Sequence, residues 1–250
     1  MQIRDTPPND IIIGLDLGQA SDYTALSVTE AREGVGLDPA QYAVRALERW
    51  RPHRYQDVVA RVAGILPRLT AGVVVERPGS LTLTMARPNV SLVVDRTGVG
   101  RAVGDLFSEA GLDVDLQLVS IHGGDAVTRD PAGEGWRVPK RDLAGVVAVA
   151  LQNGRLEIAD RLEYAATLKA ELKNFRARLS AAGHDSYGAG DDWRQGNHDD
   201  LVLAVALSVW WGQRQRTIGT GGYSFSYLEQ DTEQGFDLGP AEWRAPHSRP

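Results

Sequence analysis

The clearest pattern in the chain is the run Ile11-Ile12-Ile13-Gly14-Leu15-Asp16-Leu17, almost wholly apolar and closed by Gly18. It reads as a strand buried on both faces. Tyr23 to Thr29 has strand-like density, and Gln41 to Trp50 alternates after the turn-rich stretch Gly34 to Pro39, so three successive strands are predicted. The period then changes: Val58, Val59, Val62, Ile65, Leu66 and Leu69 fall at helical spacing between Tyr55 and Leu69, the signature of an amphipathic helix. Val73 to Val75 and Leu92 to Val94 are short β-branched runs, while Pro78 to Asn89 between them has no assignable pattern. A helix is expected from Arg101 to Ala110, stopped by Gly111, followed by a strand from Val114 to Ile121. The glycine-rich stretch His122 to Trp136 reads as a loop. Helices are expected over Arg141 to Gln152 and Arg161 to Leu179, with a short strand Leu156 to Ile158 between them, and a nearly all-apolar helix over Asp199 to Trp211. The expected organisation is a flexible leader over 1–10, one α/β domain over 11–212, and a polar tail of low order over 213–250.

Acids sit at the tips of three of these elements. Asp16 interrupts the most hydrophobic strand, where an uncompensated charge is costly; it either caps the turn at Gly18 or faces a cation. Asp95 ends Leu92-Val93-Val94 just before Thr97-Gly98-Val99-Gly100, the end of an α/β strand that commonly carries function, and it could equally cap the following helix. His198-Asp199-Asp200 opens the apolar helix, where the macrodipole favours carboxylates without any function. Capping explains each acid singly and the joint pattern less well.

Composition narrows the chemistry. With 250 residues, 42% hydrophobic and 24% charged, the chain is long enough for one substantial core. It has no cysteine, which excludes thiolate zinc sites, disulfides and a cysteine nucleophile and leaves oxygen or imidazole donors for any metal. No secretory signal pattern and no membrane-length apolar run is seen, so a soluble, cytoplasmic protein is expected. The net charge of −6 argues against a protein that coats nucleic acid. It is compatible with a carboxylate site whose bound cations invert the local sign.

Gly14-Leu15-Asp16-Leu17-Gly18 with Asp22-Tyr23-Thr24-Ala25, then Val93-Val94-Asp95-Arg96-Thr97-Gly98-Val99-Gly100, then His198-Asp199-Asp200-Leu201-Val202-Leu203-Ala204 resemble the three acidic motifs of phage large terminase nuclease domains, in the same order. The likeness runs over about residues 11 to 212 and includes Val138-Pro139-Lys140-Arg141 and the Leu168 to Phe175 segment. It implies an RNase H-like fold related to RuvC resolvases, with a central mixed β-sheet flanked by α-helices. It also implies two-metal hydrolysis of double-stranded DNA by Mg²⁺ or Mn²⁺. On this chain Asp16 would bridge two ions, Asp95 would hold one, and Asp199 or Asp200 another. His198 is a candidate proton carrier or, equally, a solvent-facing residue. Glu76 is the rival for the second acid.

Lys169, Lys173 and Arg176 form a basic stripe at helical spacing, either a solvated face or a phosphate track, and Arg96, Lys140 and Arg141 are further DNA-binding candidates. The family's partners would be a packaging ATPase, a small terminase subunit and a portal, within the host-cell cytoplasm if the protein is phage-encoded. No phosphate loop of the type G-x-x-x-x-G-K-[ST] occurs in these residues, so they would be an isolated nuclease domain, a split subunit whose motor is another chain, or a nuclease put to another use. The alternatives are a RuvC-like resolvase of branched DNA, an actin-like nucleotide-binding protein suggested by Gly14 to Thr24, and a catalytically idle packaging partner.

Overall fold

The computed structural model describes residues 3–4, 8–18, 22–34, 39–76, 83–131, 133, 135–181 and 199–218. The apolar run at 10–17 forms β2 (Asp10–Asp16), preceded by the two-residue β1 (Ile3–Arg4). Next come β3 (Thr24–Arg32) and β4 (Gln41–Trp50), then α1 (Tyr55–Leu69). β5 (Val73–Glu76), β6 (Leu83–Ala86) and β7 (Val90–Asp95) follow, then α2 (Arg101–Glu109) and β8 (Asp115–His122). The remainder is β9 (Thr128–Arg129), β10 (Trp136–Pro139), α3 (Lys140–Gln152), β11 (Leu156–Ile158), α4 (Ala165–Ala181) and α5 (Asp200–Ile218).

Eight strands make one mixed sheet in the order β11-β4-β3-β2-β7-β8-β10-β9. Within it β3 runs antiparallel to β2 and β4, while β2, β7 and β8 are mutually parallel. The sub-order β4-β3-β2-β7-β8, a meander followed by two crossovers, is the RNase H-like arrangement. Strand β2 lies between β3 and β7 with helices over both faces, so Ile11, Ile12, Ile13 and Leu15 are all buried; this is why its sequence does not alternate. Odd-numbered β2 residues meet α1 and α2 through Val58, Val62, Ile65, Val103 and Phe107. The opposite face packs on α3, α4 and α5 through Leu143, Val147, Leu168, Leu201 and Val205.

Several expectations need adjustment. The unassigned stretch 78–89 contains β6, which pairs with β5 and, through it, with β1 in a separate three-stranded sheet. Part of the expected leader is therefore paired, and Asp10 already belongs to β2. The loop 122–136 carries the short β9, α4 begins at Ala165 because 159–164 form turns, and α5 continues past Trp211 to Ile218. The expected tail beyond 218 lies outside the described residues. Among the described residues, no helix is long and apolar enough to cross a membrane.

Candidate active site

Asp16 and Asp95 are the last residues of two neighbouring parallel strands and are paired in register, so their Cα atoms are about 5 Å apart. Residues two apart along a strand share a face; Asp16 therefore shares its face with Ile12 and Gly14, and Asp95 with Val93, and this is the face that α5 covers.

Helix α5 approaches that face unusually closely, and small side chains make this possible. A Cβ placed on Gly14 would lie 1.9 Å from the Ala204 carbonyl oxygen, and one on Gly212 would lie 2.6 Å from the Tyr42 ring. Ser27 Oγ donates to the same Ala204 carbonyl (2.9 Å), and the Thr29 and Ser208 hydroxyls are 2.8 Å apart. Ala204, Ser208 and Gly212 form one i, i+4 stripe lying on the sheet, so α5 runs opposite to β2. One turn back from Ala204 is Asp200, a step of about 6 Å along the helix. Two residues on from Gly14 is Asp16, about 6.6 Å along the strand. The two steps match, bringing the first turn of α5 level with the strand tips.

The carboxylates gathered there are held by identifiable partners. Asp95 Oδ1 accepts from the Thr97 backbone N–H (2.7 Å) and from the Thr97 hydroxyl, which in turn accepts from Ile121 N (2.6 Å). Asp95 is thus locked in the turn after β7, whereas the N-cap position of α2 is occupied by Gly100. The Gly18 N–H is taken by Thr24 Oγ1 (3.1 Å), leaving Asp16 no part in capping that N–H. Asp199 is buried and its Oδ2 accepts from Lys140 Nζ at 3.0 Å. Asp200 Oδ2 accepts from Arg49 Nη2 (2.8 Å) and Nε (3.2 Å).

Neither Asp199 nor Asp200 satisfies the Leu201 and Val202 N–H groups with its side chain. Both go to Glu171 Oε2, at 3.1 and 3.2 Å. Glu171, on α4, is 6% exposed, and its Oε1 has no hydrogen-bond partner while lying 3.8 Å from Arg49 Nη1. Arg49 itself stacks over the Tyr23 ring, 4.2 Å from its centroid.

This concentration of acids is visible in their protonation. The Asp16 carboxyl titrates well above its usual range, first because burial strips its hydration and then because Asp95, Asp200 and Asp199 repel its charge; Lys140 opposes them. Burial also lifts Glu171 to about 7, against the lowering influence of its bond to Val202 and of Arg49. Among the described residues, no three Asp, Glu or His side chains form a ready-made cage for an ion. Lys140 and Arg49 already sit on two of the acids, and the carboxylates repel one another. The donor set is nevertheless all oxygen, which suits a hard divalent ion such as Mg²⁺ or Mn²⁺. The repulsion that Asp95, Asp200 and Asp199 add to the burial of Asp16 is what such an ion would relieve. The residues fit the group.

The other candidates are scattered. His198 lies outside the described residues, as does the side chain of Arg176. Glu76 ends β5 in the small sheet and not in the central one. Arg96 turns inward, 8% exposed, bonded to Ser120 (3.2 Å) and paired with Asp130, so it is not presented at the surface. Lys140 joins the acid cluster. Arg141 is exposed and paired with Asp125 (2.6 Å), Lys169 is exposed and paired with Asp160, and Lys173 is exposed. Arg49 and Glu171 were not among the candidates. Glu171 had a detectable signal, because it falls between Leu168 and Leu172 on the apolar face of its helix; Arg49, in an alternating strand, had none.

No family model matches the chain, and no curated protein matches it. Among solved structures, it is similar to the crystal structure of the large terminase nuclease from thermophilic phage G20c. That match has a TM-score of 0.44 and 20% identity over 80% of this chain and 81% of that one. It is also similar to the Thermus thermophilus RuvC structure, with a TM-score of 0.39 and 14% identity over 84% of this chain and 97% of that one. The fold assignment stands on the strand order.

Proposed function

We propose that this protein is a divalent-metal-dependent endonuclease that hydrolyses phosphodiester bonds of double-stranded DNA. The observation that carries the reading is the pairing of Asp16 with Asp95 at adjacent strand tips, on the face to which α5 delivers Asp199 and Asp200, with burial and then the charge of these neighbours lifting the Asp16 carboxyl. Asp16, central in the group, would serve both ion positions; Asp95 would serve one, and Asp200 or Asp199 the other. Divalent ions held there would supply Lewis acidity toward the scissile phosphate and acidify the attacking water.

The chain's own groups prepare that chemistry. Thr97 fixes the Asp95 carboxylate through two bonds to one oxygen. Glu171 anchors the first turn of α5, and Lys140 and Arg49 moderate the repulsion between acids. Of the exposed cations, Lys173 and Lys169 are the proposed contacts to DNA phosphates. The terminase-like motifs support viral DNA packaging as the setting, alongside a packaging ATPase, a small terminase subunit and a portal.

The test is cleavage of plasmid DNA with Mn²⁺ or Mg²⁺, abolished by chelation. Asp16→Asn and Asp95→Asn are expected to lower the rate by about a thousandfold or more, which corresponds to about 4 kcal/mol of barrier, with an unchanged circular dichroism spectrum. Undiminished cutting by either variant would overturn the site assignment. Preferential cutting of four-way over linear DNA would move the substrate to branched junctions.

A further inference from the structure

Glu171 is the one acid of the cluster that belongs to neither the strand tips nor the first turn of α5. It sits on the apolar face of α4, with buried Leu168 one turn before it. A carboxylate in such a place is costly unless its oxygens are engaged. One oxygen is engaged, accepting both Leu201 and Val202 N–H groups. The other is buried without a hydrogen bond, 3.8 Å from the Arg49 guanidinium. Arg49, meanwhile, grips a single oxygen of Asp200 through two of its nitrogens. The guanidinium therefore stands between two acids. It is bonded to one, and a shift of about 1 Å would bring it within bonding distance of the other. The Tyr23 ring at 4.2 Å gives it an aromatic surface to move along.

Building on the metal-dependent reading above, we propose that Glu171 is a positioning residue that acts through Arg49: it draws the guanidinium off Asp200 when a divalent ion binds, leaving the Asp200 carboxylate available as a ligand. In the absence of an ion, Arg49 stands in as the counter-charge of Asp200. Without the negative charge of Glu171, nothing at position 171 draws Arg49 away, and it stays on Asp200 and competes with the ion. Glutamine at 171 keeps an oxygen for the Leu201 and Val202 N–H groups, so the anchoring of α5 is preserved while the charge is removed.

The experiment is Mn²⁺ binding to the full chain at about pH 8, where the Glu171 carboxyl is ionised, read from the loss of the free-ion paramagnetic resonance signal, in wild type, Glu171→Gln, Arg49→Gln and the double variant, each confirmed folded by thermal melting. Glu171→Gln is expected to weaken Mn²⁺ about tenfold, Arg49→Gln to bind as tightly as wild type or more so, and the double variant to stay within about threefold of Arg49→Gln. Wild-type affinity in Glu171→Gln overturns the proposal. So does an equal loss on adding Glu171→Gln to a chain that already lacks Arg49, since that makes Glu171 act independently. Should Glu171→Gln not fold, Arg49→Gln still decides: weakened Mn²⁺ binding there makes Arg49 a support and not a competitor. A wild-type chain that binds no Mn²⁺ removes the nuclease reading and this inference with it, whereas Mn²⁺ binding indifferent to both residues removes only this one.

Discussion

The two faces of the central sheet are built to different rules. Beneath α1 and α2 the sheet presents Ile11, Ile13, Leu15, Leu26 and Val28, all buried, against Val58, Val62, Ile65, Leu66, Val103 and Phe107; the contact is mainly apolar, with the Arg61–Glu48 ion pair beside it. Beneath α5 the same strands present Gly14, Ser27, Thr29 and, at the tips, Asp16 and Asp95. There the helix backbone itself touches the sheet through the Ala204 carbonyl. An apolar interface tolerates slippage of a fraction of an ångström. The hydroxyl bonds and glycine contact fix the height and register of α5, and a site assembled from two strands and one helix needs that precision.

The largest effect that sharpens this contrast is expected from Gly14→Ala. The new methyl group would collide with backbone that has no freedom to rotate aside, costing about 3 kcal/mol and displacing Asp200 from Asp16. Chemical denaturation and Mn²⁺ affinity should both fall. Ile13→Val on the other face should lose about 1 kcal/mol and leave Mn²⁺ affinity unaltered. Equal effects on metal binding would show that the two faces do not differ in function.

Next in size is the pH dependence of stability. Asp16 and Glu171 hold their protons more tightly folded than unfolded. Their contribution is therefore present at low pH and is lost as pH rises from the ordinary carboxyl range through about 7 for Glu171. For the metal-free protein, the stability of Glu171→Gln relative to wild type should rise by on the order of 2 kcal/mol across that window. A flat difference between the two denaturation series would contradict the burial of an ionisable carboxyl at 171. Saturating Mn²⁺ should offset part of the wild-type decline by binding only the folded state. A smaller effect than that of Gly14→Ala is expected from Ser208→Ala, which leaves the Thr29 hydroxyl short of a partner and should cost about 1–2 kcal/mol. If α5 keeps its height, Mn²⁺ affinity should change less than in Gly14→Ala.

Periodicity made the strands and most helices legible, because β2, β4, α1 and α5 each bury a face or more of uniform chemistry. The acids at 16, 95, 199 and 200 were legible for a related reason: each breaks an apolar element at its end. What the sequence concealed was pairing. Nothing in Gln41 to Trp50 marks Arg49 as the partner of an acid 151 positions away. Lys140 and Arg96 look alike as surface cations until the fold turns one toward Asp199 and the other toward Asp130. Val73 to Val75 has the composition of a central strand; only its pairing with β6 and β1 assigns it elsewhere. Glu171 was available to a stricter reading, since an ionisable group on an apolar helix face demands a reason.

The seating of α5 against β2 joins a strand made early to a helix made late, so the acids come together only after nearly all the described chain has been synthesised. At roughly 5–20 residues per second, Asp16 leaves the peptidyl-transferase centre about 10–40 s ahead of Asp200. Until the later segment emerges and docks, the nascent polypeptide has strand tips but no assembled centre. Contacts of such long sequence separation also slow folding, so assembly of the acid cluster carries a delay set by chain topology.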